Sequence, residues 1–359
     1  IGGHVPPSAV LGDRLASRDN NLNLIRAVAA TAVLVSHAYP ISLGEKAHEP
    51  LQSLTGYTLG TIAVFVFFAA SGFLIASSFD RRRALSAFLR ARFARLVPGL
   101  AVSVLLVALV LGPLVTSLAP LDYLTNRDTA TFVLRNITII SPQYELPGVF
   151  ATNPYPTVEG SIWTLVYEVA CYLAVVAFGL AGLFAHRNTA SVLLGLYLAA
   201  TFAIVAAGLP LHVKVDNLFT LSQPFAVGML MYLWRDRLPV SWLVLAGLVV
   251  LAAGLRPTPL FAPAFVAAVS YATIVFALRP GGAIRAYNRL GDYSYGIYIY
   301  AFPIQGLVVW LWGPLTPMQN MALAFPITLV LSVLSWHLVE RPALRWGHTK
   351  SRAGQLANA

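Results

Sequence analysis

The feature that most constrains this chain is a series of apolar runs, each about twenty residues long. A helix of about twenty apolar residues is the element that crosses the hydrocarbon core of a bilayer. The 359 residues are 58% hydrophobic and only 11% charged, whereas a soluble globular domain carries about 25% charged residues. The sequence therefore predicts an all-α membrane protein and excludes a soluble globular enzyme.

Ten apolar runs are candidate transmembrane helices, and the seventh is the shortest of them. They lie roughly at 22–41, 59–79, 97–119, 161–183, 190–209, 217–234, 241–255, 262–279, 292–313 and 320–338. An even number of spans places both termini on the same side of the membrane. We expect a short N-terminal segment (1–21), one transmembrane domain (22–338) and a C-terminal tail (339–359).

The net charge of +10 predicts an orientation rather than a nucleic-acid partner. With the N-terminus inside, the outer loops hold five basic residues and the inner loops and tails hold eighteen. Because positive residues concentrate on the cytoplasmic side, both termini are predicted to be cytoplasmic. The inner set comprises Arg14, Arg18, Arg81, Arg82, Arg83, Arg90, Arg92, Arg95, Arg187, Arg235, Arg237, Arg279, Arg285, Arg289, Arg341, Arg345, Lys350 and Arg352.

Ionisable residues inside the spans are candidates for function, because burying them in a membrane is costly. Arg26 and His37 are eleven residues apart, which places them on one helix face about 16 Å apart along the axis.

Glu168 lies in the fourth span, at a depth in the membrane comparable to that of His37. We expect it to orient the imidazole and raise its basicity, as general-base catalysis requires. The other interpretations are snorkelling of Arg26 to the inner interface, a hydrogen-bonded structural role for His37, and a structural bond from Glu168 to a serine or tyrosine. His337 is a second candidate for the base, although we expect it to have a structural role at the membrane interface.

Arg92 and Arg95 are three residues apart and project from one face of a helix. Two guanidinium groups at the inner mouth of a bundle suit phosphate oxygens, which they bind through forked hydrogen bonds. Contact with lipid head groups is the alternative interpretation. The loop sequence EKAHE (45–49) offers one histidine and two acids, too few for a metal site, and no metal is predicted.

Several motifs together resemble the acyltransferase-3 family and occur in the order found there. The first helix resembles its arginine–ten residues–histidine motif at Arg26 and His37, and FFAASGFLIASSF resembles its second helix. The Arg-x-x-Arg motif falls on Arg92 and Arg95, and the Trp-x-Leu-x-x-Glu pattern falls on Trp163, Leu165 and Glu168. SYGIYIYAFPIQ and the terminal VERPALRW also match. Two positions differ from many relatives: Asn23 stands where they have aspartate, and Ala301 where some have histidine.

The resemblance implies transfer of an acyl group, usually acetyl, from cytoplasmic acetyl-CoA to a hydroxyl of a cell-surface glycan in the bacterial inner membrane. Arg92, Arg95 and Arg26 would hold the acetyl-CoA, and His37 and Glu168 would be catalytic. Trp163, Tyr167 and Ser71 would contact the carbohydrate acceptor, free or lipid-linked. His37 would either deprotonate the sugar hydroxyl or carry the acetyl group itself. The alternative function is a transporter or flippase for a glycan or a lipid-linked sugar, since a polar stripe across ten helices also suits conduction.

Overall fold

The computed structural model describes residues 10–15, 20–82 and 84–347. The predicted terminal segments 1–21 and 339–359 therefore lie largely outside the described residues. So do Arg18, Arg83, Lys350 and Arg352 and the side chains of Arg14 and Arg82, which belong to the predicted inner set of basic residues.

Long helices dominate the part of the chain that the structure describes, and no β-strand occurs there. Eight helical stretches within it are long and apolar enough to cross a membrane, which confirms an all-α membrane protein. The long helices are α1 (Leu22–Leu43), α2 (Leu59–Arg82), α3 (Leu85–Leu106), α4 (Leu165–Leu180), α5 (Arg187–Ala206), α6 (Val213–Leu233), α7 (Trp242–Leu255), α8 (Phe261–Leu278), α9 (Ser294–Trp312) and α10 (Pro317–Ser335).

The third helix begins well before position 97, where the apolar run predicted its start. Helix α3 begins at Leu85 and continues through a π-helical turn, Val107–Leu111, to Val115. Its arginine-rich first half is helical because small and apolar side chains, including Ala87, Phe88, Ala91 and Ala94, are buried along it. Arg92 and Arg95 therefore lie two to three turns inside the helix rather than at its start.

The contacts of the chain divide it into two units. The first consists of residues up to Arg26, Val64–Arg83 and Tyr167–Leu290. Within it, α2 and α6 approach closely at two glycines: a Cβ at Gly72 would overlap the carbonyl of Phe225, and a Cβ at Gly228 would overlap that of Ala69. The SGF sequence of the second helix is thus a backbone crossing point, where only glycine leaves enough room.

The second unit consists of Ala27–Ala63, Ala84–Val166 and the chain from Gly291 onwards. Helix α9 is its core, with Ser294–Gln305 wholly buried. Helix α10 packs along α9 where Gly296 meets the backbone of Ser332, and it continues into a π-helical turn, Trp336–Glu340. The long connection between α3 and α4 carries two helices, Pro120–Thr125 and Arg127–Thr138, followed by an irregular segment that leads to Ser161.

Candidate functional site

His37 lies in the second half of α1, and its ring contacts an aromatic side chain of α9. The ring centroids of His37 and Phe302 are 5.0 Å apart, with 74° between the ring planes, an edge-to-face arrangement that aromatic rings favour. The buried Nδ1 of His37 has no hydrogen-bond partner among the described residues. The ring is therefore held in place by packing, and its Nδ1 is not engaged by any described residue.

The helical turn before His37 is fixed by polar contacts from two directions. Ser36 donates a hydrogen bond to the buried Glu49, whose second oxygen accepts one from the Leu59 backbone N–H at 2.9 Å. On α9, Gln305 Nε2 donates to the Leu34 carbonyl at 2.9 Å. These contacts fix the position of the His37 backbone within the second unit.

Glu49 is a positioning residue that the sequence did not reveal. Its motif, EKAHE, suggested only a weak set of metal ligands, and the described residues contain no cluster of three or more such side chains. The glutamate instead closes the loop between α1 and α2. The sequence signal for this role is Pro50. A proline often begins a helix, and the short helix Pro50–Thr55 starts there, so Glu49 lies at the turn that leads back towards α1.

Glu168 lies in the first turn of α4, in the first unit, and one of its oxygens accepts two hydrogen bonds. Ser71 Oγ donates to Oε1 at 3.3 Å, and Tyr172, one turn further along α4, donates to the same oxygen. The alternative interpretation of Glu168 predicted a structural hydrogen bond to a serine or a tyrosine, and Glu168 has both partners. Since His37 and Glu168 belong to different units, their expected pairing stays a prediction.

The other residues expected to contact the acceptor lie near the start of α4. Trp163 is half-buried in the 3-10 turn that precedes α4, and Tyr167 is buried in its first turn. Ser71, which was expected to bind substrate, is a hydrogen-bond donor to Glu168. Their roles towards a substrate stay predictions.

Arg92 and Arg95 do not share one environment, although they are one helical turn apart. Arg95 forms an ion pair of 2.6 Å with Asp292 and lies 3.8 Å from Glu340. Arg92 lies over the Phe88 ring, with 5.8 Å between its guanidinium carbon and the ring centroid. Arg26 is half-buried near the start of α1. The sequence did not reveal Asp292 as a partner of Arg95.

Comparison with known proteins identifies the family of the chain. The profile of a family described as "Acyltransferase domain" matches residues 19–337. The chain is 29% identical over 339 residues to an O-acetyl transferase of Shigella phage Sf6, covering 90% of this chain and 96% of that protein. It is 26% identical over 374 residues to nodulation protein 10 of Rhizobium leguminosarum bv. viciae, covering 91% and 93%. No solved structure matches.

The family match covers nearly the whole predicted transmembrane domain, and the two relatives align with this chain along almost their full lengths. The match includes both arginine motifs, His37 and Glu168. The chain is therefore a multi-pass membrane protein that belongs to the acyltransferase-3 family.

Proposed function

We propose that this acyltransferase moves an acetyl group from cytoplasmic acetyl-CoA to a hydroxyl of a cell-surface or secreted glycan, in the inner membrane of a bacterium. The proposal rests mainly on His37, which lies on a membrane helix. Its buried Nδ1 has no hydrogen-bond partner among the described residues. Similarity to a protein named as an O-acetyl transferase supports acetyl as the transferred group.

An imidazole whose ring nitrogen is not already engaged in a hydrogen bond has the chemistry that acyl transfer to a hydroxyl requires. His37 accepts the proton of the acceptor hydroxyl while the hydroxyl oxygen attacks the thioester carbonyl carbon. The ester bond forms, the carbon–sulfur bond breaks, and the departing thiolate takes the proton back from the imidazolium. The products are an acetylated glycan and CoA with a free thiol, and His37 is neutral again.

The donor is proposed to bind through its phosphates at the arginines of α3, with Arg26 of α1 as a further contact. A guanidinium group binds phosphate oxygens through charge-assisted hydrogen bonds. Asp292 already neutralises much of the charge of Arg95, which lowers the share of phosphate binding proposed for that arginine. The excess of basic residues predicted on the inner side agrees with a cytoplasmic donor.

The experiment that tests this function follows labelled acetyl from acetyl-CoA to glycan. Purified protein in lipid nanodiscs is mixed with acetyl-labelled acetyl-CoA and with polysaccharide extracted from a strain lacking the gene. We expect labelled O-acetyl esters on the polysaccharide. A transporter would leave the polysaccharide unlabelled, and that result would reject the proposal.

The variant His37→Ala should retain less than a tenth of this transfer, because the group that accepts the hydroxyl proton is removed. The matched control is His337→Ala, since His337 is an exposed histidine on another membrane helix and should keep wild-type activity. Transfer by His37→Ala above a tenth of the wild-type rate would exclude His37 as the base.

A further inference from the structure

Glu159 is a buried carboxylate that the proposed mechanism does not use. Its side chain is 0% exposed, and neither Oε1 nor Oε2 has a hydrogen-bond partner among the described residues. A buried carboxylate without partners is costly to folding. A ligand that supplies the missing donors would offset this cost.

The segment that carries Glu159 packs directly onto the aromatic residue that contacts His37. A Cβ at Gly160 would overlap the ring of Phe302, so this position holds the backbone against that ring. Phe302 also lies 5.0 Å from His37, centroid to centroid. The ring of Phe302 thus contacts both His37 and the backbone next to Glu159. All of these residues belong to the second unit.

The segment around Glu159 and the facing helix α9 carry further polar groups and a half-buried aromatic ring. The buried hydroxyl of Ser161, two residues further on, also lacks a hydrogen-bond partner among the described residues. Tyr155 is half-buried, and its ring centroid is 6.2 Å from that of Phe302. Tyr300 of α9 is within electrostatic range of the Glu159 carboxyl.

These groups match the chemistry of an uncharged sugar. Sugar hydroxyls are donors, and a carboxylate can accept from two of them at once. The C–H face of a sugar ring is apolar enough to cover an aromatic side chain, while a serine hydroxyl completes the polar contacts. A metal ion fits less well, because the described residues contain no cluster of three or more metal-ligating side chains around it.

We propose that Glu159 forms an acceptor subsite, in which its carboxylate accepts hydrogen bonds from two hydroxyls of an uncharged sugar and so presents a neighbouring hydroxyl to His37. Ser161 and Tyr155 line this subsite. The inference rests on the proposed function, since it assigns the acceptor a position next to the proposed base. Glu159 is then a substrate-binding residue that selects which sugar is acetylated.

The test compares Glu159→Gln with Glu145→Gln, a matched change at an exposed glutamate in the same loop. Each purified variant is assayed with acetyl-CoA and with polysaccharide extracted from a strain lacking the gene, and acetyl-CoA affinity is measured separately by titration. Loss of charge-assisted hydrogen bonds should lower kcat/KM for the polysaccharide at least tenfold in Glu159→Gln. Its acetyl-CoA affinity should stay within twofold of wild type. Glu145→Gln should match wild type in both measurements.

Two results would overturn the subsite. Wild-type kcat/KM for the polysaccharide in Glu159→Gln would show that the carboxylate does not bind the acceptor. An equal loss of acetyl-CoA affinity would place Glu159 at the donor site or in the fold. Glu159→Asp, which keeps the charge but shortens its reach, should recover part of the transfer. Failure of the proposed function is distinguishable, because the wild-type protein itself would then transfer no acetyl to the polysaccharide.

Discussion

Glu168 shows how a single residue can serve the fold and still be suited to chemistry. Its Oε1 accepts hydrogen bonds from Ser71 and Tyr172. Two such bonds hold the carboxyl group in one orientation. An oriented carboxyl group of this kind is what the predicted pairing with His37 requires.

Replacing Glu168 by glutamine should lower turnover at least tenfold and leave acetyl-CoA affinity unchanged. The reason is that a neutral amide cannot stabilise the positive charge that develops on His37 in the transition state. Tyr172→Phe, which removes one donor to the carboxylate but keeps its charge, should have a smaller effect. Steady-state rates and acetyl-CoA titrations measure the two quantities. Wild-type turnover in Glu168→Gln would rule out the predicted pairing with His37.

The stability of the protein provides an independent readout of Glu159. Burial raises the pKa of the Glu159 carboxyl well above its ordinary value. As pH rises above that ordinary value, about 4.3, the unfolded chain ionises first. The folded protein therefore loses stability until the raised pKa is passed. Glu159→Gln carries no charge, so it should unfold at a higher temperature than wild type at pH 8.

The difference in unfolding temperature between Glu159→Gln and wild type should shrink as the pH is lowered to 5. The reason is that ionisation of Glu159 favours the unfolded state of the wild-type protein less at pH 5 than at pH 8. Thermal unfolding in detergent at several pH values measures it, with Glu145→Gln as the exposed control. A variant that is less stable than wild type at pH 8 would mean that the carboxylate has a stabilising partner. A stabilised variant that no longer acetylates glycan would be typical of a binding residue retained at the expense of stability.

At the scale of the helix, α3 shows what the sequence could predict and what it could not. The spacing of Arg92 and Arg95 correctly indicated one helix face. It could not indicate that Asp292, 197 residues away, pairs with Arg95, because such a contact depends on tertiary packing. Local hydropathy likewise missed the first turns of α3, where arginines alternate with buried alanines.

The different partners of the two arginines predict different consequences of their removal. Arg92→Ala should weaken acetyl-CoA binding about tenfold, as expected for one charge-assisted contact, and the effect should shrink as salt rises. Arg95→Ala should instead lower thermal stability, since Asp292 and Glu340 would remain buried without their cation. Titration and thermal unfolding separate the two effects. Arg81, an exposed arginine at the end of α2, provides the control. Equal losses of affinity in all three variants would indicate a diffuse basic surface.

Along the full chain, the number of membrane crossings decides which groups lie on the same side of the membrane. Eight helical stretches in the described residues qualify by length and composition, and α6 and α7 are outside that set. Arg187, at the start of α5, forms a 2.7 Å ion pair with Asp236, just after the end of α6. Trp242, at the start of α7, contacts Phe276, near the end of α8, with ring centroids 5.0 Å apart. Helix α6 therefore runs antiparallel to α5, and α7 runs antiparallel to α8. Since α5 and α8 both qualify as membrane-spanning helices, this arrangement favours the predicted ten crossings.

Substituted cysteines can test this topology, because the chain has one native cysteine, Cys171, and it is buried. In a Cys171→Ala background, Ala130→Cys should react with a membrane-impermeant maleimide in intact cells. Ala286→Cys and Arg237→Cys should react only after permeabilisation. If α6 and α7 span the membrane, an even number of crossings separates each of them from the N-terminus, which is predicted to be cytoplasmic. All three positions are exposed. If Arg237→Cys reacts in intact cells together with Ala130→Cys, α6 does not cross. If Ala286→Cys reacts in intact cells but Arg237→Cys does not, α7 does not cross. If Ala130→Cys reacts only after permeabilisation, the charge-based orientation is wrong, and the donor arginines of α3 cannot be assigned to the cytoplasmic side.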